Sequence, residues 1–134
     1  MKQVSKAIIT QHNEYLLQLR DDHPGIFYGN HWAFFGGELE IGETPWQALQ
    51  RELFEELEWR PKGGRFLYRW NSPVDSACIH FFVVPFEGDR DQLVLHEGQE
   101  LRWFSIETMA RETKLAPHIL LHVYRSNETD AVPE

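Results

Sequence analysis

Short runs that contain several apolar residues, separated by polar segments, predict strands in the first quarter of the chain. Residues 4–10 and 14–20 are two such runs and are joined by a short polar turn at residues 11–13. Residues 21–30 contain proline and two glycines and are expected to form a loop. Residues 31–35 then predict a short strand that leads into Gly36 and Gly37.

A helical period follows these strands. Apolar residues recur at i, i+3, i+7 and i+11, which predicts an amphipathic helix with one buried face. This apolar stripe consists of Trp46, Leu49, Leu53 and Leu57. Residues 44–47 form a capping-box sequence with proline at the first helical position, so we expect the helix to begin at Pro45.

The second half of the chain continues with strands and then helices. Strands are predicted at residues 65–70, 77–86 and 101–104, and helices at residues 105–111 and 117–125. The polar tail from about residue 126 is expected to fray. Strands around one internal helix, followed by C-terminal helices, indicate an α/β fold in which a sheet lies between helical layers. No repeat or linker divides the chain, so we expect one domain over residues 1–134.

Composition narrows the possible partners and location. The 134 residues suffice for one substantial core, and 42% hydrophobic and 13% aromatic residues are typical of a packed globule. A formal charge of −8 disfavours stable binding to nucleic acid. The single cysteine, the lack of a leader pattern and the lack of a long apolar stretch predict a cytoplasmic protein that binds no membrane. We expect a monomer or a homodimer.

Carboxylates are concentrated on the predicted helix. Glu52, Glu55 and Glu56 lie at i, i+3 and i+4, so they share one face. Like charges at this spacing destabilise a helix unless a cation offsets them, and such a cluster is typical of a divalent-metal site. A solvated helix face is the alternative, with Arg51 only an i, i+4 partner of Glu55.

The spacing of this segment resembles a known motif. The pattern G-x5-E-x7-R-E-U-x-E-E-x-G-U, in which U is a bulky aliphatic or aromatic residue, is the Nudix box. The matching residues are Gly37, Glu43, Arg51, Glu52, Leu53, Glu55, Glu56 and Trp59. Glu58 departs from the pattern, because the family usually has a glycine at this position to end the helix in a left-handed conformation.

The resemblance to MutT-like Nudix hydrolases implies both a fold and a reaction. The implied fold is an α/β/α sandwich with a mixed sheet. The implied reaction is metal-dependent hydrolysis of a nucleoside diphosphate linked to another moiety, with Mg²⁺ as cofactor and Mn²⁺ as a substitute. A nucleoside triphosphate is the expected substrate, in a sanitising or housekeeping role. The alternatives are a nucleotide-sugar hydrolase, a catalytically silent nucleotide-binding domain, and an acidic structural domain.

The same resemblance assigns roles around the metal. Glu52, Glu55 and Glu56 are the implied metal ligands, assisted by the Gly36 carbonyl. Glu52 is also the first candidate for the general base, although the sequence does not separate a ligand from a base. Glu43 and Arg51 complete the catalytic set, with Arg51 expected to orient the neighbouring carboxylates.

A further ligand is expected from outside the helix. Residues 97–104 resemble the family segment that carries an additional glutamate, which makes Glu97 the candidate. A polar turn at Glu97 and Gly98 is the alternative interpretation of the same residues. His96 is the next candidate ligand or base if Glu97 fails.

The nucleotide base requires an aromatic or apolar platform with a few polar groups. The candidate residues for this platform are Phe27, Tyr28, Trp32, Phe34 and His118. Each of them also suits ordinary packing. His118 lies where sanitising enzymes for oxidised guanine nucleotides carry an asparagine that reads the base, so the resemblance to those enzymes is weaker at this point.

Overall fold

The computed structural model describes residues 1–131, which form a mixed β-sheet with helices on both faces. The helices are α1 (Pro45–Leu57), α2 (Ile106–Arg111) and α3 (Ile119–Ala131), and a 3-10 turn spans Arg90–Gln92. The strands are β1 (Lys2–Gln11), β2 (Glu14–Leu19), β3 (Trp32–Ala33), β4 (Phe35–Glu38), β5 (Arg65–Asn71), β6 (Ala77–Pro85) and β7 (Glu100–Phe104).

Strand β1 is the centre of the sheet. One edge of β1 pairs in parallel with β6, and β6 pairs in an antiparallel manner with β5. The other edge pairs with β4 along Val4 to Ala7 and with β2 along Ile9 to Gln11. Strand β2 in turn pairs with β3 and β7. The parallel pair requires a crossover connection, and α1 lies within that connection.

Side chains of β1 alternate between two cores, one on each face of the sheet. Ala7 and Ile9 pack with the fully buried Leu49, Leu53 and Leu57 of α1. Ile8 points to the other face and packs in a cluster that includes Met109 of α2 and Val123 of α3. The predicted α/β/α sandwich is therefore confirmed. Within residues 1–131, no helix is both long and apolar enough to cross a bilayer.

Most predicted elements agree with the structure to within a few residues. The strand expected at residues 31–35 is divided into β3 and β4 at Phe34. The expected fraying from residue 126 is wrong for the described part of the tail, because α3 continues to Ala131. Ser126 is buried, and Asn127 Oδ1 accepts a hydrogen bond from the Tyr15 hydroxyl at 3.2 Å. The remainder of the predicted tail, residues 132–134, lies outside the described residues.

Both ends of α1 are defined by local interactions. At the N-terminus, Thr44 and Gln47 form the predicted capping box, with Pro45 as the first helical residue. At the C-terminus, Glu58 adopts a left-handed conformation with φ 56° and ψ 34°, and its N–H donates to the Phe54 carbonyl at 2.9 Å. The family's glycine position thus keeps its geometry here, although a glutamate occupies it. A residue with a Cβ is strained in this conformation.

Glu58→Gly should stabilise the metal-free protein by about 1 kcal/mol, because glycine adopts the left-handed conformation without steric cost. The substitution also removes the hydrogen bond between the Glu58 carboxylate and His96 Nε2. Both side chains are about half exposed, so this loss should be smaller than the gain. Urea unfolding followed by tryptophan fluorescence in EDTA would measure the difference.

Glu58→Gln is the matched control, because it keeps the backbone strain and alters only the contact with His96. We expect it to be neutral or slightly destabilising. If Glu58→Gly proves less stable than Glu58→Gln, then relief of left-handed strain is not the larger effect of the glycine substitution.

Candidate active site

Two carboxylates of α1 pack against the glycine pair in β4. The Gly36 N–H donates to Glu56 Oε1 at 3.2 Å. A Cβ at Gly37 would overlap the carboxyl group of Glu52, and a Cβ at Gly36, where φ is 140°, would overlap the Ser5 carbonyl. The lack of a Cβ at Gly36 therefore allows β4 to pair closely with β1, and its lack at Gly37 leaves room for the Glu52 carboxyl group.

Arg51 connects the other acidic residues of the motif. Its guanidinium group makes a bidentate interaction with Glu43, with N···O distances of 2.7 and 2.9 Å. The same group donates to Glu52 Oε1 at 3.0 Å and to Glu55 Oε1 at 3.1 Å. It also donates to the Glu38 carbonyl at 3.0 Å. One planar cation thus orients three carboxylates and joins the helix to the preceding loop.

The electrostatics of this group follow from those contacts. The hydrogen bond from Arg51 lowers the pKa of Glu43, and the Glu40 N–H reinforces this effect. The reciprocal hydrogen bond raises the pKa of Arg51. Burial raises the pKa of Glu52, helped by the charges of Glu55 and Glu97 and opposed by Arg51. Glu43 is therefore held in its charged form as the partner of Arg51. Glu52 is more desolvated and lies near other carboxylates, so its charged form is disfavoured.

Glu56 is the most buried carboxyl group of the site, with only 3% of the residue exposed. Burial raises its pKa to about 9, and a hydrogen bond with the Glu97 carboxyl and the charges of Glu97 and Glu52 act in the same direction. The ammonium group of Lys6 acts in the opposite direction. The structure thus brings Glu52, Glu56 and Glu97 together, in a place where added positive charge would be stabilising.

Lys6 is a candidate site residue that the sequence analysis missed. Burial lowers its pKa, and the charges of Glu56, Glu97 and Glu52 oppose that shift. Its Nζ lies 3.5 Å from the Phe34 carbonyl. A lysine inside a predicted strand, followed by the apolar run Ala7, Ile8 and Ile9, was the signal that would have identified it, because buried lysines need a specific partner.

The segment that carries Glu97 is docked on the C-terminal end of α1. The N–H groups of Val94 and His96 donate to the carbonyls of Leu57 and Glu56, at 3.2 and 2.9 Å. The Gln99 N–H donates to the Leu19 carbonyl at 2.8 Å. These backbone contacts on both sides of Glu97 position it beside Glu56, while the His96 ring pairs with Glu58. Glu97 and Gly98 lie in a polar bend, and Glu97 also approaches the carboxylate of Glu56.

The donor set fits a divalent cation that prefers oxygen ligands. Glu52, Glu56 and Glu97 offer carboxylate oxygens, which Mg²⁺ and Mn²⁺ favour. Glu55 lies further out, about half exposed and bound to Arg51. Within the described part of the chain, no group of three or more His, Cys, Asp or Glu side chains is placed to hold a metal ion. The fit therefore concerns only the chemistry of these oxygen donors. The roles of Glu55 and of the Gly36 carbonyl as ligands stay predictions.

A cavity of about 110 Å³ is lined by Lys6 of β1, by residues of the turn after β5 and by residues at the start of α3. Four of the five predicted base-contacting residues line it, namely Phe27, Tyr28, Phe34 and His118. Its lining also includes Arg20, Trp70, Asp75, Phe81 and His122. A larger cavity of about 510 Å³ lies beside Trp59 and Phe86 and contains none of the predicted site residues.

Trp32 is the one predicted base-contacting residue that does not line this cavity. Only 3% of it is exposed, and its ring packs edge-on against Phe104 with a centroid distance of 5.1 Å. The guanidinium group of Arg102 lies over the Trp32 ring, 4.7 Å from its centroid. The expectation that Trp32 contacts substrate is therefore wrong, because pairing of β3 with β2 directs its side chain into the core.

Comparison with known proteins places these features in a family. The model of the NUDIX domain matches residues 2–125. A curated relative, the CTP pyrophosphohydrolase of Escherichia coli strain K12, is 34% identical over 120 residues, which cover 87% of this chain and 84% of that protein. The solution structure of the E. coli ORF135 protein has a TM-score of 0.74 and 30% identity, with coverage of 98% of this chain and 91% of that one.

Other curated relatives are longer than this chain. The RNA pyrophosphohydrolase of Baumannia cicadellinicola subsp. Homalodisca coagulata is 33% identical over 86 residues, which cover 64% of this chain and 51% of that protein. The chain thus spans about half the length of this relative. From the family match and the carboxylates beside the glycine pair, we conclude that the chain belongs to the Nudix family and is a hydrolase that acts on phosphoric anhydride bonds.

Proposed function

We propose that this protein hydrolyses a nucleoside triphosphate to a nucleoside monophosphate and pyrophosphate, with Mg²⁺ as cofactor. One observation carries the proposal. Lys6 lines the same cavity as the aromatic residues, and the charges of Glu56, Glu97 and Glu52 act on its ammonium group. A nucleotide in this cavity would place its base among Phe27, Trp70 and His118 and its phosphates beside the carboxylates.

Each group of the site then has a chemical task. Lys6 and Arg20 are cations at the phosphate end of the cavity and would bind the anionic oxygens of the substrate. Glu52, Glu56 and Glu97 would hold Mg²⁺, which supplies charge neutralisation for the anhydride when bound. Arg51 orients Glu52 through their hydrogen bond.

The reaction itself needs one water molecule and one proton acceptor. The water oxygen forms a bond to one phosphorus atom of the anhydride, and the bond between that phosphorus and the bridging oxygen breaks. The bridging oxygen leaves with the pyrophosphate product, and the water proton passes to a carboxylate. Glu52 is our candidate acceptor, because its side chain is 18% exposed and thus accessible to water, unlike the more buried Glu56. The assignment of Glu52 as the base, in addition to its part in holding Mg²⁺, belongs to the proposal.

The comparisons favour a triphosphate over the alternatives. The relative covered over most of its length is named for a pyrophosphohydrolase of CTP. Relatives named for RNA suggest a second substrate, but a net charge of −8 opposes extended contacts with an RNA backbone. All the box glutamates are present, which opposes a silent nucleotide-binding domain. A nucleotide sugar remains the alternative substrate within the same reaction class.

Turnover should require a divalent metal ion. With Mg²⁺, at least one nucleoside triphosphate should yield its monophosphate and pyrophosphate, and EDTA should abolish turnover. Mn²⁺ should restore activity, because it shares the preference for oxygen ligands. A chromatographic assay across triphosphates, nucleotide sugars, dinucleotides and 5′-triphosphorylated RNA would identify the substrate. Equal turnover in EDTA and in Mg²⁺ would reject the metal-dependent reaction.

Glu56→Gln should reduce turnover by about tenfold to a hundredfold, because it removes a charged ligand and preserves shape. The metal-free fold should persist. The raised pKa of Glu56, about 9, means that the folded protein binds more protons than the unfolded one between the unfolded value and 9. Its stability therefore falls as pH rises through that window, and the substitution should flatten this dependence. Steady-state kinetics and urea unfolding at several pH values measure both effects.

Glu107→Gln is the control for Glu56→Gln, since Glu107 is an exposed residue in the first turn of α2. It should change neither turnover nor the pH profile of stability. Wild-type turnover in Glu56→Gln would remove Glu56 from the ligand set.

Glu97→Gln tests the ligand from outside the helix. It should weaken activation by Mg²⁺ while leaving the melting temperature of the metal-free protein nearly unchanged, because the backbone bonds of Val94, His96 and Gln99 hold the segment. Glu100→Gln is the matched control, as Glu100 is exposed and pairs with Arg102 on the surface. Magnesium titrations of activity compare the two variants. If they behave alike, Glu97 is not a ligand.

A further inference from the structure

Two buried polar atoms, which belong to residues that line the cavity, have no hydrogen-bond partner among the described residues. These atoms are Asp75 Oδ1 and His122 Nε2. An unpaired buried polar group is costly, so evolution retains one mainly where something else completes the bond. At about 110 Å³, the cavity is several times larger than the space that one water molecule requires.

A hydrogen bond with Tyr68 determines which ring nitrogen of His122 carries the proton. The Tyr68 hydroxyl lies 2.7 Å from His122 Nδ1. The guanidinium group of Arg125 lies over the face of the Tyr68 ring, 5.8 Å from its centroid. A phenol O–H is a stronger hydrogen-bond donor than an imidazole N–H, and an imidazole nitrogen is the stronger acceptor, so the Tyr68 proton is directed to Nδ1. In this neutral tautomer Nε2 carries the ring proton and is a donor.

The charge state of His122 agrees with this assignment. Burial lowers the pKa of His122 to about 4, helped by the positive charges of Arg125 and His118. The ring is thus neutral at physiological pH. It is also fixed in orientation, because it stacks on Phe81 with a centroid distance of 4.1 Å and meets Trp70 edge-on at 4.4 Å. His122 is a rigid neutral donor, and the Asp75 carboxylate is an acceptor at the same cavity.

We infer that Asp75 and His122 read the edge of the nucleotide base and select bases that carry an amino group beside an unprotonated ring nitrogen, that is, cytosine or adenine. This inference rests on the proposed function for its substrate class. The amino group would donate to Asp75, and the ring nitrogen would accept from His122 Nε2–H. Uracil and hypoxanthine reverse both groups, so a carbonyl oxygen would face the carboxylate and a ring N–H would face the histidine proton.

Paired substrates test this selection directly. The wild-type protein should show kcat/KM at least about tenfold higher for CTP than for UTP and for ATP than for ITP, because mismatched polar groups are left unpaired. Asp75→Asn should reduce both ratios to near one, since an amide presents a donor as well as an acceptor. Asp91→Asn is the control, as Asp91 is exposed and does not line the cavity, and it should keep the wild-type ratios.

The Tyr68→Phe variant tests whether the Tyr68 hydroxyl fixes the tautomer of His122 or whether the ring only packs against it. Tyr68→Phe should reduce the CTP to UTP ratio, although Tyr68 itself makes no contact with the base in this proposal. Nitrogen-15 NMR should show His122 protonated at Nε2 in the wild-type protein and a mixture of tautomers in Tyr68→Phe. A single unchanged tautomer in the variant would overturn this role of the Tyr68 hydroxyl.

A binding measurement distinguishes failure of this inference from failure of the proposed reaction. Calorimetry with CMP and UMP needs no turnover, and CMP should bind the wild-type protein at least about fivefold more tightly. If no triphosphate is hydrolysed but this preference exists and disappears in Asp75→Asn, base selection stands and only the proposed reaction fails. Equal binding of CMP and UMP, or equal losses for both nucleotides in a folded Asp75→Asn variant, overturns the inference.

Discussion

The close packing of helix α1 against the Gly36–Gly37 backbone is the constraint on which the site depends. A Cβ at Gly36 would collide with the backbone of strand β1, and a Cβ at Gly37 would occupy the place of the Glu52 carboxyl group. This packing buries Glu56 and removes it from water. The Glu56 carboxylate accepts a hydrogen bond from the Gly36 N–H and lies beside Lys6 and Glu97. Burial of apolar residues on the opposite face of α1 provides the stabilisation that offsets this cost.

Positive charge organises the remaining carboxylates. Arg51 collects Glu43, Glu52 and Glu55 on the outer side of the helix, and Lys6 lies on the inner side beside Glu56 and Glu97. The two cations thus divide the acidic cluster into carboxylates oriented by Arg51 and a second group around the buried Glu56, which the exposed Glu97 joins. This division explains why the pKa of Glu43 is lowered while the pKa of Glu56 is raised, although both residues belong to one sequence motif.

The base end of the cavity follows a different physical principle. Aromatic and aliphatic side chains together make up most of its lining and tolerate many ligands, so its selectivity must come from the few polar atoms among them. His118 and His122 are one helical turn apart, and the latter is held between Phe81 and Trp70. The side chains of α3, the turn after β5 and strand β1 thus meet at one cavity, which connects base recognition to the acidic cluster.

The sequence alone determined the elements whose information is local. The helical period of Leu49, Leu53 and Leu57, the capping box at Thr44 and the motif spacing predicted α1, its buried face and its acidic face, and the family resemblance supplied the sandwich. Tertiary structure decided what depends on contacts between distant segments. Lys6, Asp75 and His122 are separated widely in sequence, so no periodicity links them, and only strand pairing and helix docking bring them to one cavity. The same long-range pairing placed Trp32 in the core and extended α3 beyond Ser126, because burial by a distant partner overrides local pattern.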